Sequence, residues 1–336
     1  MEEHGTFHSC FRVRKLFYNT TYLVLRYFEP RNYHLIKIEA YSRMHIHVLK
    51  MHPVNKKVKG LIQLSRVELP FSAGVCVVMG QILALGSFAS ISESILAFMS
   101  VFLISASILV LNDYFDVETD RINAPHRPIP SKLVTPSEAL IFSLFLMTLG
   151  LIFSYLISLF ALLFVIILTI IGFLYNRRYK RSGLPGNIMV SLSVGMTFVY
   201  GGASVGLPFN NIVWFFALIA ALIDLGEEIA ADAMDVQGDS LIGSDSLAIK
   251  FGKNTALWVS SYIFLSVVLL TSVPFIMDWL APVYLIPIAI MDISIIYPLS
   301  GLLKSDEKEA RKYIRRIYLG ATLGVLVFIL IRLIEN

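Results

Sequence analysis

The chain changes character near residue 68. It is polar and basic before that point, then becomes a succession of long apolar runs separated by short polar breaks. Runs long enough to cross a bilayer fall near 69–89, 94–113, 137–157, 159–175, 187–206, 212–231, 255–275, 279–299 and 314–334. A helix rises about 1.5 Å per residue, so about 20 apolar residues span a hydrocarbon layer of ~30 Å while satisfying every backbone polar group internally. The pattern therefore predicts an all-α, polytopic membrane protein with about nine transmembrane helices in one domain over 61–336. The break at Ser158 is so short that 137–175 also admits a merged helix and a count of eight.

Residues 1–60 are a different material, basic with scattered aromatics. Their longest apolar piece, "YLVLRYF", is too short and interrupted for a span or a signal peptide. This stretch is expected to be a disordered or membrane-surface arm. Met51 opens "MHPVNKKVKG" as an alternative start, which would make the extension dispensable.

Composition agrees with the periodicity. Apolar residues make up 56% and charged residues 15% of the 336, whereas soluble domains carry about a quarter charged residues. Cys10 and Cys76 form neither a disulfide nor a metal pattern. The charges that remain are distributed asymmetrically. Residues 1–66 hold twelve Lys/Arg against four acids, and the loops 112–136, 176–186, 232–254 and 300–313 include "NRRYKR" and "KSDEKEARKYIRR". The alternate loops, "SISE", "GLPFNN" and the stretch around Met277, are almost uncharged. Lys and Arg are retained in the cytoplasm, which predicts a cell-membrane protein with a cytoplasmic N-terminus, cytoplasmic charged loops and an external C-terminus.

Against this background the acids stand out. In "NDYFDVETD", Asn112, Asp116 and Asp120 recur every fourth residue after an apolar run and share one helical face. A second column follows the sixth apolar run in "DLGEEIAADAMDVQGDS", where Asp224, Glu228, Asp232, Asp235 and Asp239 are spaced 4, 4, 3 and 4 apart. Acids at membrane helix ends are costly unless water, a partner or a cation faces them. Two such columns meeting across a cavity would repel, and divalent cations would relieve the repulsion. The donors are all oxygens, which suits Mg²⁺, Mn²⁺ or Ca²⁺ and argues against zinc or copper. Mg²⁺ is usually shared between one or two carboxylates and substrate phosphates, so these columns point to a phosphorylated substrate. Bases stand nearby: Arg127 in "INAPHRPIPS", and Arg177, Arg178, Lys180 and Arg181 in "LYNRRYKRSG". Topology alone would supply such residues, but diphosphate recognition requires them.

"NDYFDVETD" resembles the N-D-x-x-D-x-x-x-D motif of the UbiA superfamily of intramembrane prenyltransferases, and "DAMDVQGD" resembles its second D-x-x-x-D motif. "RPIPS" and Tyr175-x-x-x-x-Lys180-Arg181 also match the family pattern, and the similarity covers roughly 60–336. The resemblance implies a ring of spanning helices around a central cavity, with Mg²⁺ holding the diphosphate of an isoprenoid donor and an apolar tunnel for its tail. It further implies that Asn112, Asp116, Asp235 and Asp239 bind metal, that Asp113, Asp120 and Asp232 assist catalysis, and that Arg127, Tyr175, Lys180 and Arg181 contact substrate. Tyr114, Phe115, Tyr175 and Tyr200 are candidate stabilisers of an allylic cation.

Within the superfamily, "NDYFD" with "INAPHRPIPS" is most similar to the archaeal branch that makes ether lipids. That branch carries Arg-x-x-Asn near the first helix, where this chain reads "LSRVELP". The expectation is Mg²⁺-dependent transfer from geranylgeranyl diphosphate to the lipid-like acceptor geranylgeranylglyceryl phosphate, with Arg177 and Arg178 available for the acceptor's phosphate. An aromatic acceptor is the alternative, and a cation transporter using the same acids a more distant one. Neither a nucleic acid nor an obligate protein partner is expected.

Overall fold

Helix boundaries follow local capping chemistry. Ser90 and Thr135 each accept a bond from the backbone N–H three residues on, and the Glu93 and Glu138 carboxylates accept one from the cap's own N–H, forming two capping boxes. Ser158 ends one helix and caps the next, its hydroxyl accepting from Ala161 N–H at 3.0 Å. The stretch over 137–175 is therefore two helices. Gly86, in the left-handed conformation, ends the first long helix at Leu85, four residues short of the apolar run.

The computed structural model describes residues 53–241, 243–304 and 307–335, so the expected extension lies outside the described residues up to position 52. Its helices are α1 Pro53–Ser65, α2 Glu68–Leu85, α3 Ile91–Phe115, α4 Val117–Asn123, α5 Pro136–Ile157, α6 Leu159–Arg177, α7 Leu184–Ser204 and α8 Asn211–Met234. They continue with α9 Val236–Leu241, α10 Leu247–Phe251, α11 Lys253–Leu270, α12 Val273–Ile276, α13 Leu285–Leu302 and α14 Glu307–Glu335. No strand occurs among the described residues.

Nine of these helices have 18 residues or more, and each overlaps one apolar run. Seven are long and apolar enough to cross a membrane, the stretch over α11 and α12 being taken as one; α7 and α8 are not among them. The reason lies in their surroundings. More than half of the residues of α7, which is rich in Gly and Ser, are buried, while α8 carries Asp224, Glu227, Glu228 and Asp232. Residues facing protein or a polar cavity need not be as apolar as residues facing lipid.

The long helices close into a ring in the order α2, α3, α5, α6, α7, α8, α11, α13, α14 and back to α2. α2 also crosses α7 at close range. Gly80 and Gly201 make this possible, since a Cβ at Gly80 would collide with the Phe198 carbonyl and one at Gly201 with that of Val77. The buried apolar side chains of α2, α7, α8, α11, α13 and α14 merge into the largest core cluster.

Candidate functional site

A cavity of about 830 Å³ runs inside the ring, with walls from α2, α3, α6, α7, α8, α13 and α14. Its deeper part is apolar, lined by residues such as Met79, Ile104, Phe198, Phe216 and Phe328. Both acidic columns lie at its other end.

At the end of α3, Asn112, Asp116 and Asp120 line the cavity while Asp113 is buried behind the wall. Each carboxylate of this group has a base. Asp113 pairs with Arg66 and, at 3.5 Å, with Arg127. Asp120 takes Arg127 at 2.7 Å through both oxygens, and Asp116 pairs with Lys180. The Asn112 amide lies 3.0 Å from both Asn176 and Lys180 Nζ. Burial works against the Arg127 guanidinium's charge, but Asp113 and Asp120 more than offset it and hold its pKa above the ordinary arginine value.

The second column is broken where the sequence pattern runs straight. α8 ends at Met234, Asp235 occupies the break, and Asp239 sits on the short α9, yet all five acids line the cavity. Neutral donors hold most of them. Asp224 accepts from Ser191 at 3.0 Å, Asp232 from Asn187 at 2.9 Å and Glu228 from the Tyr175 hydroxyl at 3.4 Å. Asp235 alone has a cation, Arg311 of α14, which also donates to the Met234 carbonyl at 3.4 Å. Burial, together with repulsion from Asp232 and Asp235, raises the Asp239 carboxyl to about 6.

Lys180 owes its position to a local turn. α6 stops at Arg177, a 3₁₀ turn over Tyr179–Ser182 follows, and Gly183 at φ +68° passes against the backbone of Asp245. The Asp245 N–H donates to the Arg181 carbonyl at 2.9 Å and fixes this turn. Only Lys180 reaches the cavity from here. Arg177, Arg178 and Arg181 are exposed and off its walls, with Arg178 over the Tyr179 ring at 5.9 Å. Of the expected aromatics Tyr175 lines the cavity, while Tyr200 is buried on Ser154 at 2.9 Å, and outside it Tyr114 packs on Phe115 and Phe115 on Phe173.

Two cavity-lining bases escaped the sequence reading. Arg66 sits in "LSRVELP" at the turn between α1 and α2 with φ +43°, a left-handed conformation costing a non-glycine residue about 1–3 kcal/mol. The ion pair with buried Asp113 offsets that strain, and the Arg at the head of the motif is the signal that marks it. Arg311 is one base among several in "KEARKYIRR", and nothing local distinguishes it.

The arrangement suits a divalent cation. Oxygen donors from α3 and from the α8–α9 break face one cavity, and the α8 side carries more carboxylates than cations. Among the described residues no three acidic, His or Cys side chains gather closely enough to cage an ion by themselves. A site of this kind completes its coordination with substrate oxygens, as Mg²⁺ commonly does.

The model of the UbiA prenyltransferase family matches residues 73–321. Digeranylgeranylglyceryl phosphate synthase of Methanocaldococcus jannaschii is 37% identical over 254 residues, covering 76% of this chain and 89% of that protein. A solved structure of a digeranylgeranylglyceryl phosphate synthase in membranes superimposes with a TM-score of 0.60 at 33% identity, covering 80% of this chain and 98% of the other. A UbiA homolog from Archaeoglobus fulgidus, solved with DMAPP and Mg²⁺ bound, shares the fold with a TM-score of 0.59 at 18% identity, covering 80% of this chain and 98% of the other.

Proposed function

This chain belongs to the UbiA prenyltransferase family, and from that premise we infer that it transfers a geranylgeranyl group from geranylgeranyl diphosphate to the free hydroxyl of geranylgeranylglyceryl phosphate, forming an ether. The observation that carries this reading is the convergence of Asp116, Asp235 and the bases Arg127, Lys180 and Arg311 on the polar end of one otherwise apolar cavity. Prenyl transfer needs an anion site beside a long apolar slot. The acceptor follows from the digeranylgeranylglyceryl phosphate synthases, which match this chain over most of their length.

Asn112 and Asp116 on one side and Asp235 and Asp239 on the other would hold Mg²⁺, and Asp232 lines the same cavity from α8. When bound, the ion neutralises charge developing on the diphosphate oxygens. Arg127 and Lys180, each about one-third exposed, donate to the same oxygens. Asp113 and Asp120 position Arg127 and Arg66 through their ion pairs. The face of Tyr175 stabilises positive charge at C1 of the prenyl group as the C–O bond lengthens, and the apolar walls exclude water that would trap that cation.

The chain is a multi-pass membrane protein. The charge asymmetry of its loops supports a cytoplasmic N-terminus and a cytoplasmic site. Reporters fused after residues 183 and 244 should behave as cytoplasmic and one after 209 as external. The reverse pattern would overturn this orientation.

Membranes containing the protein, given labelled geranylgeranyl diphosphate, Mg²⁺ and a panel of acceptors, should yield the mass of the doubly prenylated glyceryl phosphate. Exclusive prenylation of an aromatic acid would overturn the acceptor assignment and leave prenyl transfer standing. No transfer to any acceptor would overturn both.

A further inference from the structure

Among the described residues, three buried side-chain polar atoms have no hydrogen-bond partner within the protein: Gln81 Oε1, Glu227 Oε1 and the Tyr318 hydroxyl. Gln81 lies off the cavity, and its amide nitrogen donates to Ser204 at 2.9 Å. The other two line the cavity wall from neighbouring helices, Glu227 from α8 and Tyr318 from α14. Neither is engaged by the machinery that binds diphosphate. An orphaned buried acceptor and an orphaned buried donor are a liability for a purely structural wall.

Depth gives them a role. Glu227 lies eight residues before Asp235, and Tyr318 seven after Arg311. At 1.5 Å per residue both sit about 10–12 Å from the Asp235–Arg311 ion pair, towards the apolar end. C1 of a prenyl diphosphate held by those acids must itself lie on that side of the phosphates. A nucleophile approaching C1 arrives at the level of Glu227 and Tyr318.

We propose that Glu227 and Tyr318 form the seat of the acceptor alcohol, with Tyr318 donating to the hydroxyl oxygen and Glu227 accepting the hydroxyl proton. The chemistry balances. The oxygen's lone pair forms the new bond to C1, the C1–O bond to diphosphate breaks with its pair leaving on diphosphate, and the O–H proton passes to Glu227 Oε1. The proton returns to water when the products depart. A carboxylate suits this task because an alcohol is a poor nucleophile until its proton is being removed, and a positioned base contributes about 10²–10⁴ in rate.

This inference rests on the alcohol-acceptor reading above, and the test separates the two. Three quantities are measured in the full chain in detergent or membranes: transfer from geranylgeranyl diphosphate to geranylgeranylglyceryl phosphate, transfer to its analogue with a thiol replacing the hydroxyl, and binding of Mg²⁺ with geranylgeranyl diphosphate. Glu227→Gln should lower transfer to the alcohol at least a hundredfold, leave donor binding within twofold, and lose less than tenfold with the more acidic thiol. Tyr318→Phe should raise the KM for the alcohol several-fold without changing that for the donor. If wild type transfers nothing to the alcohol, the acceptor reading falls. If wild type transfers but Glu227→Gln retains its rate, or loses donor binding in proportion, or loses alcohol and thiol transfer equally, the proposal falls while the acceptor reading stands. Should Glu227→Gln fail to fold, an unchanged alcohol KM in Tyr318→Phe overturns the proposal by itself.

Discussion

The two acidic walls of the cavity look alike in sequence and differ in electrostatics. On the α3 side every carboxylate has a cation: Asp113 with Arg66 and Arg127, Asp120 with Arg127, Asp116 with Lys180. On the α8 side Asp224, Glu228 and Asp232 lean on Ser191, Tyr175 and Asn187, and only Asp235 meets a base. The first wall is neutralised within the fold, whereas the second holds an excess of negative charge. An external cation would therefore be demanded mainly by the α8 wall, and in the proposed reaction the α3 wall would contribute ligands and bases for phosphate.

The largest expected effect tests that division. Asp235→Ala should lower prenyl transfer at saturating Mg²⁺ by a hundredfold or more, equivalent to about 3 kcal/mol of transition-state stabilisation. Its melting temperature should hold, because removing one acid relieves repulsion on a crowded wall. Full activity in a well-folded variant would show that the excess charge has no catalytic use.

On the neutralised wall the same logic reverses. Arg127→Gln leaves Asp120 without its cation and Asp113 with Arg66 alone, so it should destabilise the fold by roughly 3 kcal/mol, at the low end for a broken buried pair because the guanidinium is partly exposed. Thermal unfolding in detergent measures it. A variant as stable as wild type would mean that the pairing is not structural.

A smaller effect concerns pH. Asp239 is about 6 in the folded chain against an ordinary 3.8, so folding disfavours its charged form. Its contribution is fully favourable below about 4 and is lost as pH rises through 6. In the presence of a chelator, the melting temperature of wild type should fall between pH 4 and 7 relative to Asp239→Asn, by a few degrees at most given partial exposure. Parallel pH curves would contradict the crowding of this wall.

The smallest effect is at Arg177 and Arg178. Sequence logic assigns them the acceptor's phosphate, but the structure leaves both exposed and off the cavity. Changing the pair to Gln should therefore leave the KM of either substrate within about twofold. A tenfold rise for the acceptor alone would return these residues to its binding site.

Much of this architecture was readable from local pattern. Each apolar run became a helix because lipid and core select the same side chains, and the i, i+4 spacing of Asn112, Asp116 and Asp120 sufficed to bring all three to one surface. Boundaries drifted where a turn intervened. The run over 279–299 begins its regular helix only at Leu285, after Asp278 at positive φ and a 3₁₀ turn over Pro282–Tyr284. Glu227 was also within reach, three residues after Asp224 and thus on the same side of α8, but the stripe drawn from Asp224 through Glu228 passed it by.

The sequence by itself determined that the chain is a bundle of membrane helices and that two oxygen-rich columns end at one level of it, because the first property depends on the length of each apolar run and the second on the even number of runs between the columns. Tertiary structure decided which charges meet. Asp113 and Arg66 are 47 residues apart in the chain, and Asp235 and Arg311 are 76 apart. Such pairings depend on how α2 lies against α3 and on how α14 lies against α8. The packing of α14 on α8 also brings Tyr318 to the wall that carries Glu227, while the turn after α6 leaves Arg177 and Arg178 off the cavity. A basic residue's neighbours in sequence cannot show whether it will face a cavity or solvent, since half a turn of helix separates the two.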